Sequence, residues 1–469
     1  MEIVHIASEF APLAKVGGLA DAVAGLTKAL AAKGHNVEVI LPRYDLFPPL
    51  ELQKVRKFLV IEKGIQIEAT LWTTQYEGVT LTLISADHPE GYFHRQKIYG
   101  EMDDNDRFLF FCKVASKVIQ QKTSPPDVLH LHDWMTAAIP LFLKKNRPEK
   151  IIFTIHNMKH QGKCAPFNLE RLGLDFDEEA LCDPIEPEAL NLFKGAVLES
   201  NQVTVVSPTY AKEIQTKEGG FGLSTFLSAH KKKIQGVLNG IDTEYWDPET
   251  DPLLEANYSL KTFAEGKKAN KYLVQKRLDL TLDEKAPLIV AITRLVPQKG
   301  PDLIAYGIER CAQLGGQFVL LGSFGDKETE RQFEQLKRSF AYDRHIAFHL
   351  EYDEPLSHLL YGASDMFLMP SLFEPCGLTQ MIAMRYGSIP LVHATGGLKD
   401  TVFDPSSSKK PNGFSFQIPD NKGVSSVLER AFSVYHGPKQ KWEELILNGM
   451  GSDWSWDASA QKYLDLYSL

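Results

Sequence analysis

Cysteine is scarce: five residues in 469, at Cys112, Cys164, Cys182, Cys311 and Cys376. None forms a CxxC pair or has metal-ligand spacing. An odd number without a framework excludes a disulfide scaffold and fits a reducing cytosol, so a cytoplasmic protein is expected. Long hydrophobic runs are also missing. The longest, such as Leu288 to Ile292, are strand-sized and far short of the roughly 20 residues of a membrane span. The chain opens directly on Glu2-Ile3-Val4-His5-Ile6-Ala7, a strand pattern with no basic and apolar segment before it, so no signal peptide is expected. Positive charge is in deficit: 51 Lys+Arg against 60 Asp+Glu, a net charge of −9. That argues against broad nucleic-acid binding, which needs a basic surface, and leaves room for a small anion in a locally basic site. The remaining composition, 43% hydrophobic and 24% charged, is ordinary for a globular chain and excludes disorder. The length suggests two large domains, each able to bury its own core.

What is present is a β/α alternation. Strands fit near 2–7, 37–41, 128–131, 151–155 and 202–206. Leu19, Val23, Leu26 and Leu30 share one face of a helix over 19–33 that ends at Gly34. Residues 57–85 alternate as an antiparallel excursion with a turn at Glu77-Gly78. The rhythm returns with strands near 288–293, 318–321, 346–349, 366–369 and 389–392, and helices at 301–314, 327–340, 355–363 and 379–386. Residues 240–285, polar and marked by Asp247-Pro248 and Asp251-Pro252, read as the linker, with a charged helix near 264–278. Tyr463, Leu466 and Tyr467 predict a docked final helix from Trp456.

Five stretches carry chemistry. Lys15-Val16-Gly17-Gly18-Leu19 opens a helix; its glycines let backbone amides approach an anion and Lys15 adds charge. It is neither the GxGxxG fingerprint nor a P-loop, which speaks against an NAD(P)-dependent Rossmann enzyme, and a tight turn with a solvated lysine is the alternative. His130-Leu131-His132-Asp133-Trp134 and His156-Asn157 sit at two strand ends, where open α/β sheets bind ligands. A metal held by His130, His132 and His156 lacks a carboxylate to complete it; a structural role is one open reading of His130, and a ligand-bonding His156 is favoured. Arg294 and Lys299 flank a strand-to-helix loop and suit phosphate oxygens, or else are two solvated cations. Pro370-Ser371-Leu372-Phe373-Glu374-Pro375-Cys376-Gly377-Leu378-Thr379-Gln380 joins a strand to a helix capped by Thr379. It supplies a carboxylate for sugar hydroxyls and amides for a phosphate, with Cys376 read as a packed thiol rather than a nucleophile. Gly17-Gly18-Leu19-Ala20-Asp21 is faintly echoed by Gly396-Gly397-Leu398-Lys399-Asp400, either by chance or as two glycine turns feeding helix N-termini across one cleft.

Taken in order, KxGGLAD, HDW, HN, Asn239-Gly240-Ile241-Asp242, RLxxQKG at 294–300, FEPCGLTQ at 373–380 and GGLxDTV at 396–402 resemble the glycogen/starch synthase family of the bacterial type over essentially the whole chain. The resemblance implies the α/β GT-B fold: two Rossmann-like domains facing across a deep cleft, 1–240 on the acceptor side and 241–452 on the nucleotide-sugar side, with 453–469 crossing back to the first. It implies a retaining transfer of glucose from ADP-glucose to an α-1,4-glucan such as glycogen, without a cofactor or metal. By motif, Lys15, Gly17 and Gly18 would meet the diphosphate and acceptor side. Arg294 and Lys299 would neutralise the leaving diphosphate. Asp133, His156 and Asn157 would line the glucose, Trp134 would be a further substrate-binding residue, and Glu374 with the amides of Cys376 and Gly377 would hold the glucose hydroxyls. Leu378 and Thr379 would cradle the phosphates, Tyr352 would stack on adenine, and Asp21 and Asn239 would lie near the nucleotide. Of these, Lys15, His156, Arg294, Lys299 and Glu374 are the catalytic candidates. Val16, Met135 and Leu372 depart from the usual motif residues, and Ile382 stands where wider retaining relatives carry a second Glu. Alternatives are a related transferase using UDP-glucose or a small acceptor, and a silent glucan-binding protein, against which the intact Lys15, Arg294, Lys299 and Glu374 argue.

Overall fold

The computed structural model describes residues 1–143 and 147–468. The chain divides into two units, Met1–Gly240 with the segment from Trp456 onward, and Ile241–Ser455.

In the first unit the strands are β1 (Glu2–Ile6), β2 (Asn36–Pro42), β3 (Gln53–Glu62), β4 (Ile65–Tyr76), β5 (Val79–Ala86), β6 (Val128–His132), β7 (Lys150–Ile155), a small ribbon of β8 (Lys163–Cys164) and β9 (Leu190–Asn191), β10 (Gln202–Val205) and β11 (Ile234–Gly236). The main sheet runs β11-β10-β7-β6-β1-β2-β5-β4-β3. It is parallel except for β3 and β4, the antiparallel excursion expected from the alternation at 57–85. Lys63-Gly64 and Glu77-Gly78, all with positive φ, make its two-residue turns, the geometry whose twist matches paired strands. The β3 edge is blunted by lysines: Lys117 Nζ donates to Leu59 O at 2.7 Å, and Lys113 Nζ to Ile61 O.

Helix α1 (Gly18–Ala32) buries Leu19, Val23, Leu26 and Leu30 against this sheet. It closes as a Schellman motif on Gly34 (φ +84°), with Gly34 N–H bonding Ala31 O and His35 N–H bonding Leu30 O. The final helix, Trp456–Ser468, joins the same core through Trp456, Ala460, Tyr463, Leu466 and Tyr467. It approaches α1 so closely that a Cβ on Gly25 would lie 1.9 Å from the Trp456 ring.

The second unit holds β12 (Leu288–Leu295), β13 (Gln317–Phe324), β14 (Ile346–His349), β15 (Met366–Met369), β16 (Ile389–His393) and β17 (Phe414–Phe416). They form one parallel sheet ordered β14-β13-β12-β15-β16-β17. The polar stretch read as a linker is instead part of this unit. Helix Phe263–Arg277 packs on the unit with Lys267, Asn270, Lys271, Val274 and Gln275 buried. Asp251 is buried between His358 Nδ1 (2.7 Å) and Tyr386 Oη (2.6 Å), and Lys271 pairs with Asp365 at 2.7 Å. Polarity misleads here because each polar group finds its partner inside the unit.

Candidate active site

In the first unit β1 and β6 lie side by side, yet the chain leaves β1 toward β2 and β6 toward β7 on the opposite side. This is a topological switch point, where parallel sheets open a crevice beyond the strands' carboxyl ends. The sequence candidates gather there. Asp133 follows β6 and His156-Asn157 follow β7, its neighbour. Asp133 Oδ1 accepts from the backbone N–H groups of His156 (3.1 Å) and Asn157 (3.5 Å). Its backbone sits at φ +61°, ψ −177°, a conformation costly for a residue with a Cβ and characteristic of functional sites. Burial pushes its carboxyl up to about 8. Trp134 packs edge-on against Phe108, and the Asn157 side chain bonds the Lys159 amide.

Along one face of the same strands runs a buried polar stripe. Register pairs His5 with His130 and His132 with Thr154. His130, fully buried, bonds Tyr467 Oη of the final helix through Nδ1 and Thr154 Oγ1 through Nε2, each at 2.6 Å. The structural reading of His130 describes that position. His132 Nε2 meets His5 Nδ1 at 3.0 Å, and His132 Nδ1 meets His156 Nε2 at 3.0 Å. Ligand atoms of His5, His130 and His132 come within 4.8 Å of one another, a spacing open to a metal. The fit is poor, because both His130 nitrogens and the facing His5 and His132 nitrogens are already hydrogen-bonded, and no carboxylate belongs to the group.

The glycine turn after β1 is organised by a residue the sequence reading passed over. Glu9 is 3% exposed, and its Oε2 accepts from the amides of Val16 (2.6 Å) and Gly17 (3.0 Å) while Oε1 accepts from Tyr99 Oη (2.8 Å). Two amides expected to face an anion are thus held by an internal carboxylate. Burial raises the Glu9 pKa against these bonds. The available signal was its position just beyond the first strand. Lys15 Nζ pairs with Asp21 Oδ1 at 2.8 Å on the surface of α1. Asn239 is buried in the segment after β11.

The second unit repeats the logic. Its switch point falls between β12 and β15. Exposed Arg294, near the end of β12, makes no ion pair among the described residues. Lys299 ends the 3-10 turn Pro297–Lys299, and Gly300 follows at φ +66°, where a Cβ would meet Pro370 O at 2.7 Å. That close approach brings the two loops together, and Leu372 N–H bonds Gln298 O at 2.8 Å. Glu374, 5% exposed, accepts through Oε2 from Lys299 Nζ (2.5 Å) and Ser371 Oγ (2.9 Å). Ser371 is the second residue missed; its place three positions before Glu374 was the signal.

The Glu374 loop is clamped from behind. A Cβ on Gly396 would lie 1.9 Å from Glu374 O, and one on Gly397 2.0 Å from Cys376 O. The two echoed glycine pairs do both open helices, α1 and Gly396–Thr401. Thr379 is not the cap of its helix: Leu378 occupies that position, and the Thr379 hydroxyl donates to Met369 Sδ at 3.2 Å. Thr379 is already the first helical residue, one position too late for its oxygen to accept from the free amides of the opening turn. Cys376 is buried, and Gly377 (φ +74°) shapes the turn. Tyr352, past the end of β14, is 78% exposed.

Comparison with known proteins settles the family. Residues 2–229 match the family described as "Starch synthase catalytic domain", and residues 275–436 match "Glycosyl transferases group 1". A glycogen synthase of Protochlamydia amoebophila (strain UWE25) is 42% identical over 100% of this chain and 99% of its own length. The chain belongs to the glycogen/starch synthase family. The probable starch synthase 4 of Arabidopsis thaliana is 45% identical over 99% of this chain, which spans only 46% of that protein. The solved catalytic domain of starch synthase IV from Arabidopsis thaliana, bound to ADP and acarbose, superposes with a TM-score of 0.93 at 44% identity, covering 100% of this chain and 98% of that one. This family member is therefore a glycosyltransferase of GT-B fold, and each of its two main sheets carries polar strand-end residues at a switch point between parallel strands.

Proposed function

We propose that the chain transfers glucose from ADP-glucose to the non-reducing 4-hydroxyl of an α-1,4-glucan such as glycogen, retaining the anomeric configuration and releasing ADP. The carrying observation is the Lys299–Glu374 pair at the β12/β15 switch point, with Arg294, which makes no ion pair among the described residues, near the end of β12. Cleaving a glycosyl–diphosphate bond builds negative charge on phosphate and positive charge at the anomeric carbon. Arg294 offers a planar fork and Lys299 a point charge to the first, so cationic side chains take the role a metal would otherwise fill. Glu374 spends Oε2 on Lys299 and Ser371, which leaves Oε1 for sugar hydroxyls. The Cys376 and Gly377 amides assist it, with Leu378 and Thr379 at the phosphates and Tyr352 against adenine.

In the first unit, Asp133, Trp134, His156 and Asn157 line the glucose. Lys15, Gly17 and Gly18 serve the diphosphate and acceptor side, with Asp21 and Asn239 near the nucleotide. Retention by double displacement needs two carboxylates about 5 Å apart. Our reading is same-face attack instead, the departing phosphate taking the acceptor proton. None of the five cysteines forms a disulfide, and no described helix is long and apolar enough to cross a membrane; both agree with work in the cytoplasm. The relative called a glycogen synthase and the starch synthase domain bound to ADP and acarbose support this donor and acceptor class. The test is release of ADP from ADP-glucose with glycogen present. Equal or faster turnover of UDP-glucose overturns the donor, and no elongation with either donor overturns the function.

A further inference from the structure

We propose that His5 and His132 are positioning residues that fix His156 as an Nδ1–H donor toward the sugar it lines. The inference rests on the placement of His156 at the glucose given above, and adds which hydrogen bond that residue makes and what decides it.

The three rings form one series across adjacent strands: His5 Nδ1 to His132 Nε2, then His132 Nδ1 to His156 Nε2, each 3.0 Å. All three rings are neutral. Burial takes the His5 and His156 pKa values down to about 3 and that of His132 well below its usual range. A neutral imidazole has one N–H and one bare nitrogen, so the series runs in one direction or the other as a unit. In one direction His5 donates to His132, His132 donates to His156, and His156 keeps its proton on Nδ1. In the other every proton moves to the opposite nitrogen, and His156 presents a bare Nδ1.

The inner end decides between them. His5 Nε2 is buried and has no partner among the described residues. The first direction leaves a bare nitrogen there; the second leaves a buried N–H unbonded, the rarer and costlier defect. His156 Nδ1 has no protein partner among the described residues, and the residue is half-buried just beyond the end of β7. The donor therefore faces outward, suited to a sugar hydroxyl oxygen. His130, bonded to Tyr467 and Thr154, stands outside the series and stacks on it, 4.3 Å from His132 between centroids.

The experiment is long-range proton–nitrogen correlation on the imidazole nitrogens of the intact protein labelled with 15N-histidine, the His156 signals being identified by their loss in His156→Gln. The expected result is Nδ1 protonated and Nε2 bare in the wild-type protein. An Nε2-protonated His156 in a wild-type protein that elongates glycogen overturns the inference while leaving the function intact. Absence of elongation by the wild type overturns the functional reading on which it rests. A second arm separates positioning from packing. His132→Asn puts an amide where Nδ1–H stands and is expected to keep the His156 tautomer and kcat within about threefold. His132→Phe is expected to mix the tautomers and lower kcat at least tenfold, with the KM for glycogen unchanged. Equal kcat losses in the two variants, with the tautomer unmoved in both, overturn the inference.

Discussion

Lys299 and Glu374 show what a residue-scale reading contains and what it omits. Both were legible in the sequence as a cation and a carboxylate in separate loops. Their 2.5 Å contact was not, because it depends on β12 and β15 being neighbours and on Gly300 letting the loops close. Lys299→Ala and Glu374→Ala are each expected to cut turnover more than ~100-fold, since preorganised charge at a reacting centre is worth several kcal/mol. Steady-state kinetics with ADP-glucose and glycogen check this, and near-normal rates in both would misplace the site. Asp133 carries a separate prediction. Its folded pKa of about 8 lies above its ordinary 3.8, so the folded state holds the proton longer than the unfolded chain. Its contribution to stability is intact below about pH 4 and is lost as pH rises toward 8. Asp133→Asn, which keeps an acceptor for the two amides, is expected to melt higher than the wild type at pH 8.5 and to lose that advantage progressively as pH falls to 4, with turnover reduced. Glu9 escaped notice because only the fold turns its carboxylate onto the Val16 and Gly17 amides.

At the scale of elements, the polar stripe under the final helix has consequences of its own. His5, His130, His132 and His156 all have folded pKa values below the ordinary 6.5, first because of burial. The unfolded chain therefore binds more protons below pH 6.5. The stability they allow is complete above that pH and is lost as pH falls, by up to about 1.4 kcal/mol per pH unit for each histidine. Urea unfolding midpoints are expected to be flat from pH 7 to 8 and to drop steeply from pH 6.5 to 5. Tyr467→Phe strips the partner from His130 Nδ1 and is expected to cost ~1–3 kcal/mol at pH 7.5. An unchanged denaturation midpoint would show that the final helix does not seal the stripe. Element types were largely legible from period: α1, the excursion at 57–85 and strands β12 to β16 stand where alternation put them, while the three-residue edge strand β17 is too short to show a period. The stretch 240–285 was misread, because polarity marks a linker only when the polar groups lack internal partners, and Asp251, Lys267 and Lys271 have them. Helix Asp104–Gln120 was passed over, although its apolar face repeats at helical spacing.

For the whole molecule, the charge balance sets an expectation about the two substrates. A net charge of −9 surrounds a few local cations. An anionic nucleotide sugar is attracted only locally, whereas a neutral glucan feels no net charge. Raising ionic strength from 0.02 to about 0.3 M is expected to increase the KM for ADP-glucose severalfold and leave the KM for glycogen unchanged, because screening acts on charges alone. Chelator is expected to leave turnover intact, since the proposal gives the leaving-group charge to side chains. The sequence by itself determined the β/α class, the family through its ordered motifs, and the residue types at the strand ends, because these are local patterns and local chemistry. Only the tertiary structure decided which of those groups meet. The pairing of Lys299 with Glu374, the capture of the glycine turn by Glu9 and the histidine series behind His156 all depend on strand order and register, which bring together residues up to 127 positions apart.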